Sequence, residues 1–351
     1  LISISVFCLL AALSLGLLIQ QGTAQTVNGQ SPGNRTNAAQ RASKYRLSGP
    51  YSHKNLTIFL VHGSDIARNT NFITLQEALD QKKVIVYETK EVNELAIRNL
   101  SNQDVYVQAG DIVRGGDQDR MISVDFIVPR RSKRMPIAAF CVESGRWHQR
   151  GNEGNGSFSR SDNYATTREL KLAAKSANSQ SAVWENVEVV QRKLSQNVAE
   201  TVSVSASPSS LELSLENAKV KETTEDYIRA LSGILQGRSD VIGYVFAING
   251  KVNSADIYAS RALFVKLWPK LLKANATEAV AELQPDSTAS AVSDEAVHGF
   301  LDGAEKGEAK QQAVSPRVHL VTREDDKNVF FETRDRAQNG AWIHRNYIRK
   351  D

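Results

Sequence analysis

The sequence predicts an α+β fold, with a mostly antiparallel β-sheet or sandwich core and several flanking helices. Short runs rich in β-branched residues recur between residues 94 and 142, spaced about 8 to 15 positions apart by turn residues. This spacing favours an antiparallel sheet over a parallel sheet, which would need crossover helices between its strands. Amphipathic patterns over 182–194 and 260–274 predict helices, because their apolar residues repeat at helical spacing.

The first half of the chain carries most of the strand patterns. A buried strand is predicted over 56–61, and a helix begins at Thr74, where Glu77 completes a capping box. Residues 151–163 are rich in Gly, Asn and Ser and predict a loop. The remaining strands of this half are predicted over 84–88, 94–98, 105–108, 122–128 and 137–142.

The second half mixes helices with further strands. Asn249-Gly250 separates two strand-like runs and is typical of a two-residue hairpin turn. These elements complete a main α+β domain over 55–275. Residues 276–316 are rich in Ala, Ser and Gly and predict a low-complexity, partly helical linker. The tail, 317–351, has strand-like runs that either close the same sheet or form a small separate unit. Helices are predicted over 182–194, 225–236 and 260–274.

The N-terminal segment, 1–24, has the pattern of a secretory signal peptide. It carries no charged side chain, is almost wholly apolar as far as Leu18, and ends in small residues before Ala24. We expect cleavage after Ala24, export to the periplasm or the extracellular space, and a flexible lead-in over 25–54. The alternative is an uncleaved membrane anchor, because the apolar run approaches the length of a membrane span.

Composition and charge narrow the classes of partner. A net charge of +4 is too small and too dispersed to predict nucleic-acid binding. Hydrophobic residues make up 41% of the chain and charged residues 23%, as in ordinary globular proteins, so no membrane contact is expected after cleavage. Cys8 lies in the predicted leader, which leaves Cys141 without an internal disulfide partner. The oligomeric state is open at this point.

A polar loop containing two adjacent glycines is the densest candidate for ligand binding. Gly115 and Gly116 allow left-handed main-chain dihedrals, and amides freed in such a loop can hold an anion. Arg114 and Arg120 could add bidentate contacts to a phosphate or a carboxylate, and Gln118 is a further candidate ligand-binding residue. The alternative is a hairpin with a glycine bulge whose polar residues are only solvated. The spacing matches neither a P-loop nor a dinucleotide-binding fingerprint.

A second candidate lies where a predicted strand ends. Cys141 and Glu143 project to the same face if that strand alternates. Glu143 is a candidate general base and Cys141 a candidate nucleophile, while Arg146 could bind an anion and Trp147 could stack on a ring. Each residue also has a structural alternative. Cys141 could be a small buried apolar residue, Glu143 one member of an ion pair, and Trp147 a core anchor.

The sequence predicts neither a metal site nor a cofactor. The six histidines are scattered, and no His-x-x-x-His or Cys-x-x-Cys spacing occurs. The run 130–134 is basic and links two predicted strands. It could contact an acidic partner, or it could be the solvated tip of a hairpin.

Several segments occur together in an order that resembles a known family. The set resembles the ARG and Rhodanese-Phosphatase-superfamily-associated protein domain over about residues 55–275, while the run 130–134 and the tail after about Ala274 look peculiar to this chain. The family's name implies a context of ADP-ribose or nucleotide metabolism. The segments are 74–79, 92–95, 115–120, 142–147, Trp184 and 243–249. The family-like positions among them are Gly115, Gly116, Gln118, Arg120, Glu143, Gly145, Arg146 and Trp147.

Two function hypotheses follow. The first in rank is an exported soluble domain that binds a ligand or a partner. The alternative is an enzyme acting on an anionic small molecule, such as an ADP-ribose-like or nucleotide-derived substrate. Both site hypotheses require the loop bearing Arg120 and the strand end bearing Glu143 to meet in space. A solvent-accessible cleft between them would favour a binding or active site, and a sealed hydrogen-bonded network would favour a structural role.

Overall fold

A computed structural model describes residues 44–67, 70–151, 153, 156–284 and 291–351. The predicted signal peptide and the lead-in as far as residue 43 lie outside the described residues. Within the described residues, no helix is both long enough and apolar enough to cross a membrane.

The described chain folds into antiparallel sheets and helices, so the predicted α+β class is confirmed. Among the described strands, only one pair of neighbours, β3 (Ile73–Thr74) and β6 (Val105–Val107), runs parallel. The other strands in the first part of the chain are β1 (Arg46–His53), β2 (Leu56–His62), β4 (Val84–Glu88), β5 (Glu94–Asn99), β7 (Asp111–Gly115), β8 (Arg120–Ile122), β9 (Phe126–Val128), β10 (Met135–Cys141) and β11 (Phe158–Tyr164). The strands of the second part are β12 (Val241–Ile248), β13 (Lys251–Tyr258), β14 (Lys310–Ala313), β15 (Val318–Glu324), β16 (Asn328–Asp335) and β17 (Ala341–Arg349).

The helices begin at side-chain caps that the local sequence supplies. Thr74 and Glu77 form the predicted capping box at the first helix, in which each side chain accepts from the other's main-chain amide. The helices are α1 (Leu75–Asp80), α2 (Arg168–Lys175), α3 (Gln180–Asn197), α4 (Leu211–Leu215), α5 (Ala218–Leu231), α6 (Arg261–Ala281) and α7 (Asp294–Ala304).

The largest sheet has eight strands in the order β1-β2-β12-β13-β17-β16-β15-β14. Its centre is the predicted hairpin of β12 and β13, where Asn249 and Gly250 both take positive φ angles, 51° and 76°. One face of this sheet packs against α2 to α6 in the main hydrophobic core, and the other face packs against α7. Helix α6 is almost entirely buried because it lies in the middle of the main core.

A six-stranded sheet, β11-β7-β8-β10-β5-β4, encloses a second core together with the short sheet β3-β6-β9. A bridge between Tyr87 and Ser157 brings β4 next to the start of β11, so the two ends of the six-stranded sheet meet. The two cores place the loop between β8 and β9 beside the eight-stranded sheet. That junction contains the candidate site described below.

Four of the predicted segments form regular elements in the structure. Residues 46–53, predicted as part of a flexible lead-in, form strand β1, which pairs with β2 along its length. The predicted linker contains the end of α6, helix α7 and strand β14. The tail closes the large sheet through β17, which pairs with β13, and it is not a separate unit. Strand β11 also occupies part of the predicted loop 151–163.

Candidate functional site

The two segments singled out in the sequence do meet. Gly115 and Gly116 form the turn between β7 and β8, with φ angles of 122° and 56°. A Cβ at Gly116 would lie 2.6 Å from the Phe158 ring, so this position requires glycine for space as well as for its dihedrals. The carbonyl of Gly116 accepts a hydrogen bond from Arg146 at 3.2 Å, which connects the turn to the strand end after β10.

Glu143 is the centre of a buried ionic network. Its carboxylate lies 2.6 Å from Arg146 and 3.2 Å from Arg150, and it also accepts a hydrogen bond from the Ser207 hydroxyl. The main-chain amide of Asp119 donates to Glu143 at 3.2 Å. Burial opposes the ionisation of Glu143, but Arg146 and Ser207 outweigh it and lower its pKa. The side chain is therefore an ionised structural acceptor with no exposed oxygen for a substrate.

Asp119 is the second carboxylate of this network. It lies 3.0 Å from Arg150 and accepts from the Gly115 amide at 3.1 Å. Burial, followed by repulsion from Glu143, raises the pKa of Asp119 to about 6. Both Asp119 and Glu143 are fully buried, so their charges are balanced inside the protein by the two guanidinium groups.

Arg120 belongs to a neighbouring buried contact. Its guanidinium lies 3.2 Å from the Glu88 carboxylate and donates to the carbonyl of Val92 at 2.5 Å. Cys141 on β10 lies opposite Arg120 on β8 in the strand register. Its Sγ atom lies 3.7 Å from the same carbonyl of Val92. Burial raises the pKa of the Cys141 thiol to about 11. These features support a buried, uncharged thiol over an activated nucleophile.

The remaining predicted site residues are Gln118 and Trp147. Gln118 is fully buried, and neither atom of its side-chain amide has a hydrogen-bond partner among the described residues. Trp147 is 55% exposed, so it lies on the surface and does not anchor the core. The structure thus brings the predicted residues together but leaves only Trp147 and the small Gly145 open to solvent. This arrangement matches the structural alternative more closely than an open cleft.

A different polar cluster lies where the two larger sheets meet. His344 on β17 is held by two carboxylates: its Nδ1 lies 2.7 Å from Asp125, and its Nε2 lies 3.0 Å from Asp256. Asp125 also accepts from the Thr333 hydroxyl at 2.6 Å, and Asp256 accepts from the Tyr244 hydroxyl at 2.9 Å. All of these side chains are buried. The contacts join the β8–β9 loop to four strands of the large sheet.

The charges in this cluster stabilise one another. Burial lowers the pKa of His344, but Asp125 and Asp256 outweigh burial and raise it. The pKa of each carboxyl is correspondingly held below its usual range: burial opposes ionisation, and His344 more than offsets it. His344 is therefore an imidazolium, and each of its two nitrogens donates a hydrogen bond to a carboxylate.

Lys175 stands beside this cluster at the last turn of α2. Its ammonium donates to the Asn346 side-chain oxygen at 2.5 Å and lies 4.4 Å from the centre of the Phe331 ring. Burial lowers the pKa of Lys175, although Asp125 and Asp256 act in the opposite direction. In the part of the chain that the structure describes, no carboxylate lies within salt-bridge distance of this ammonium. An ammonium has three N–H donors, so Lys175 can donate to a further acceptor.

Lys175 lines a cavity of about 350 Å³. Buried Asp125 and Thr333 lie on its inner side, and exposed Ser176 and Asn178 lie on its solvent side. The wall mixes hydroxyl and amide groups with an aromatic ring and aliphatic side chains. Its lining residues are Ser123, Val124, Asp125, Ala138, Ala174, Lys175, Ser176, Asn178, Gln312, Ala313, Val314, Leu320, Phe331 and Thr333.

Sequence reasoning did not identify this cavity, because its residues come from distant parts of the chain. Asp125, Lys175 and Thr333 lie in a loop, a helix end and a strand, and no local spacing connects them. The available signals were weak: a lysine in the last turn of a short helix, and an aspartate flanked by two strands. Neither has a recognisable motif.

The fold and its two buried polar clusters define an α+β domain of mostly antiparallel sheets with a small polar cavity at the sheet junction. The chain belongs to the ARG and Rhodanese-Phosphatase-superfamily-associated Protein domain family, whose model matches residues 44–348. The match includes the C-terminal strands, so the tail after Ala274 is not peculiar to this chain. No curated protein matches the chain. No solved structure matches it either.

Proposed function

We propose that this domain binds a small polar molecule with one anionic group in the cavity at Lys175. The observation that carries the proposal is an ammonium on the cavity wall whose only side-chain acceptor among the described residues is Asn346. A volume of about 350 Å³ lies within the range of small-molecule sites. Hydroxyl and amide groups near the mouth could bind the hydroxyl groups of a ligand, and Phe331 could pack against a sugar ring.

The charge balance supports a ligand with a single anionic group. With His344 protonated, the positive charges of His344, Lys175 and Lys171 face the negative charges of Asp125 and Asp256, and the charge of Lys171 is shared with Glu278 at 3.9 Å. The cluster is therefore close to neutral, and a polyanion would be repelled by the carboxylates at short range. A sugar acid or a sugar monophosphate fits this balance, whereas the pyrophosphate of ADP-ribose brings a second anionic group.

Binding is better supported than catalysis. His344 has no free ring nitrogen to accept a proton, since each nitrogen contacts a carboxylate. The predicted catalytic residues, Glu143 and Cys141, are buried in other contacts and do not line this cavity. An enzymatic role would need Lys175 itself as base or nucleophile. We therefore rank an enzyme acting on an anionic small molecule second.

The test is a calorimetric titration with ribose 5-phosphate and with glucuronate, each compared with neutral ribose at constant ionic strength. Lys175→Met keeps most of the side-chain length and removes the charge, so we expect affinity for the charged ligands to fall about tenfold to a hundredfold. The matched control is Lys221→Met, at an exposed position on α5. Equal affinity in wild type and Lys175→Met, or no binding by wild type, would contradict the proposal.

A further inference from the structure

A cationic depression lies on the outer surface of the six-stranded sheet, away from Lys175. It has a volume of about 380 Å³, and its wall carries four basic side chains together with Ser132 and Tyr87. The basic side chains are exposed, and they come from β5 and from the turn between β9 and β10. They are Arg98, Arg131, Lys133 and Arg134.

These cations have no compensating carboxylates within the described residues. Arg131 contacts the side chain of Asn102, while Arg134 donates to the main-chain oxygen of Glu88 at 3.4 Å and lies over the Tyr87 ring. The nearby carboxylate of Glu88 is turned inward and bonded to Arg120. Elsewhere in the described residues, Arg114, Arg146 and Arg317 are each paired with a carboxylate. The depression therefore concentrates positive charge that the described residues do not compensate.

The turn that presents the cations is held in one conformation. The amide of Arg130 donates to Asp104 at 2.9 Å, the amide of Arg131 donates to the carbonyl of Ser101 at 2.9 Å, and the hydroxyl of Ser132 accepts from Asn99 at 3.1 Å. A binding surface whose main chain is already ordered loses less conformational entropy on association. The turn therefore presents its exposed basic side chains from an ordered main chain.

We propose that this depression docks an acidic peptide segment of a partner protein. Guanidinium groups predominate on its wall, and their planar forks match the geometry of carboxylates. Tyr87 also lines the depression, and the Arg134 guanidinium lies 4.5 Å from the centre of its ring, so one face of the ring is already covered and less of it is available to stack on a nucleic-acid base. The concave shape also fits a peptide chain better than the flat surface of a membrane. This proposal is independent of the small-molecule site at Lys175.

Fluorescence anisotropy with a labelled peptide of alternating glutamate and serine tests the proposal. We expect saturable binding at about 0.05 M salt and clear weakening at about 0.2 M, because exposed charges are screened. The double variant Arg98→Gln with Lys133→Gln should bind about tenfold more weakly. The control, Arg192→Gln with Lys221→Gln, removes the same residue types from exposed helix surfaces and should bind like wild type.

Three outcomes would overturn the proposal. The first is an absence of peptide binding at low salt. The second is equal weakening by the control pair, which would indicate a response to net charge alone. The third is tighter binding of a single-stranded DNA of equal length, or of vesicles containing phosphatidylserine, which would assign the surface to a nucleic acid or a membrane.

Discussion

The Nδ1 atom of His344 lies 2.7 Å from the Oδ2 atom of Asp125, and this contact joins strand β17 to the loop between β8 and β9. The two residues are more than two hundred positions apart in the sequence. Because His344 also contacts Asp256, one imidazolium holds two buried carboxylates. The junction of the two large sheets therefore depends on charge pairing as well as on apolar packing.

Removing one charged partner of His344 at this junction should lower the stability of the protein. We expect Asp125→Asn to lower the free energy of unfolding by about 3 kcal/mol, because it leaves His344 with a weaker partner in a buried site. Urea denaturation near neutral pH measures the change. Asp302→Asn, at an exposed position on α7, is the control and should alter stability by less than about 0.5 kcal/mol. A loss as small as that of the control would show that the contact contributes little.

Glu212 should make stability depend on pH. It is buried and accepts from Ser161, and burial raises its pKa to about 7. A carboxyl whose pKa is higher in the folded state favours folding when it is protonated, so this contribution is lost as the pH rises from about 4.5 to about 7. The expected loss is on the order of 3 kcal/mol.

Urea denaturation across that pH range, with wild type beside Glu212→Gln, isolates the effect of Glu212. The wild type should lose stability more steeply than the variant, since glutamine does not titrate. His344, whose pKa is also raised, contributes in the same direction at higher pH and is common to both proteins. Identical pH profiles would mean that Glu212 titrates alike in the folded and unfolded states.

The network around Glu143 should behave as structure. We expect Glu143→Gln to cost about 3 kcal/mol of unfolding free energy, because Arg146 and Arg150 lose a shared buried partner. Trp147→Ala should cost less than about 0.5 kcal/mol, since that ring is largely exposed. Glu188→Gln, on the exposed side of α3, is the matched control. If Glu143→Gln left stability unchanged, the predicted role of Glu143 in catalysis would regain support.

Local patterns predicted the elements that short-range interactions determine. The Asn249-Gly250 hairpin and the Thr74 capping box are set by residues within a few positions of each other, and both are present. Strand β1 was not predicted, because its sequence contains Gly49-Pro50 and its polar and apolar residues do not alternate. It lies at the edge of the sheet, where the partner strand β2 supplies the pairing and one side stays exposed.

The sequence predicted the candidate site around Glu143 only in part, because its burial also depends on contacts between distant segments of the chain. The spacing of Gly115, Arg120 and Glu143 showed that polar groups gather at neighbouring strand ends, and they do. Glu143 is covered by Ser207 and Arg150, which reach it from later segments of the chain. A polar loop in a sequence suggests a surface position until such covering segments are known.

The most direct test of the account follows the side chain of Lys175 itself. In protein labelled with ¹³C-lysine, the Cε signal that is absent from Lys175→Met identifies this residue by NMR, and the signal of Lys221 serves as the internal control. We predict that ribose 5-phosphate or glucuronate shifts the Lys175 signal saturably and leaves that of Lys221 in place. A Lys175 signal that stays unchanged while either ligand saturates the protein would place the binding elsewhere and contradict the proposed function.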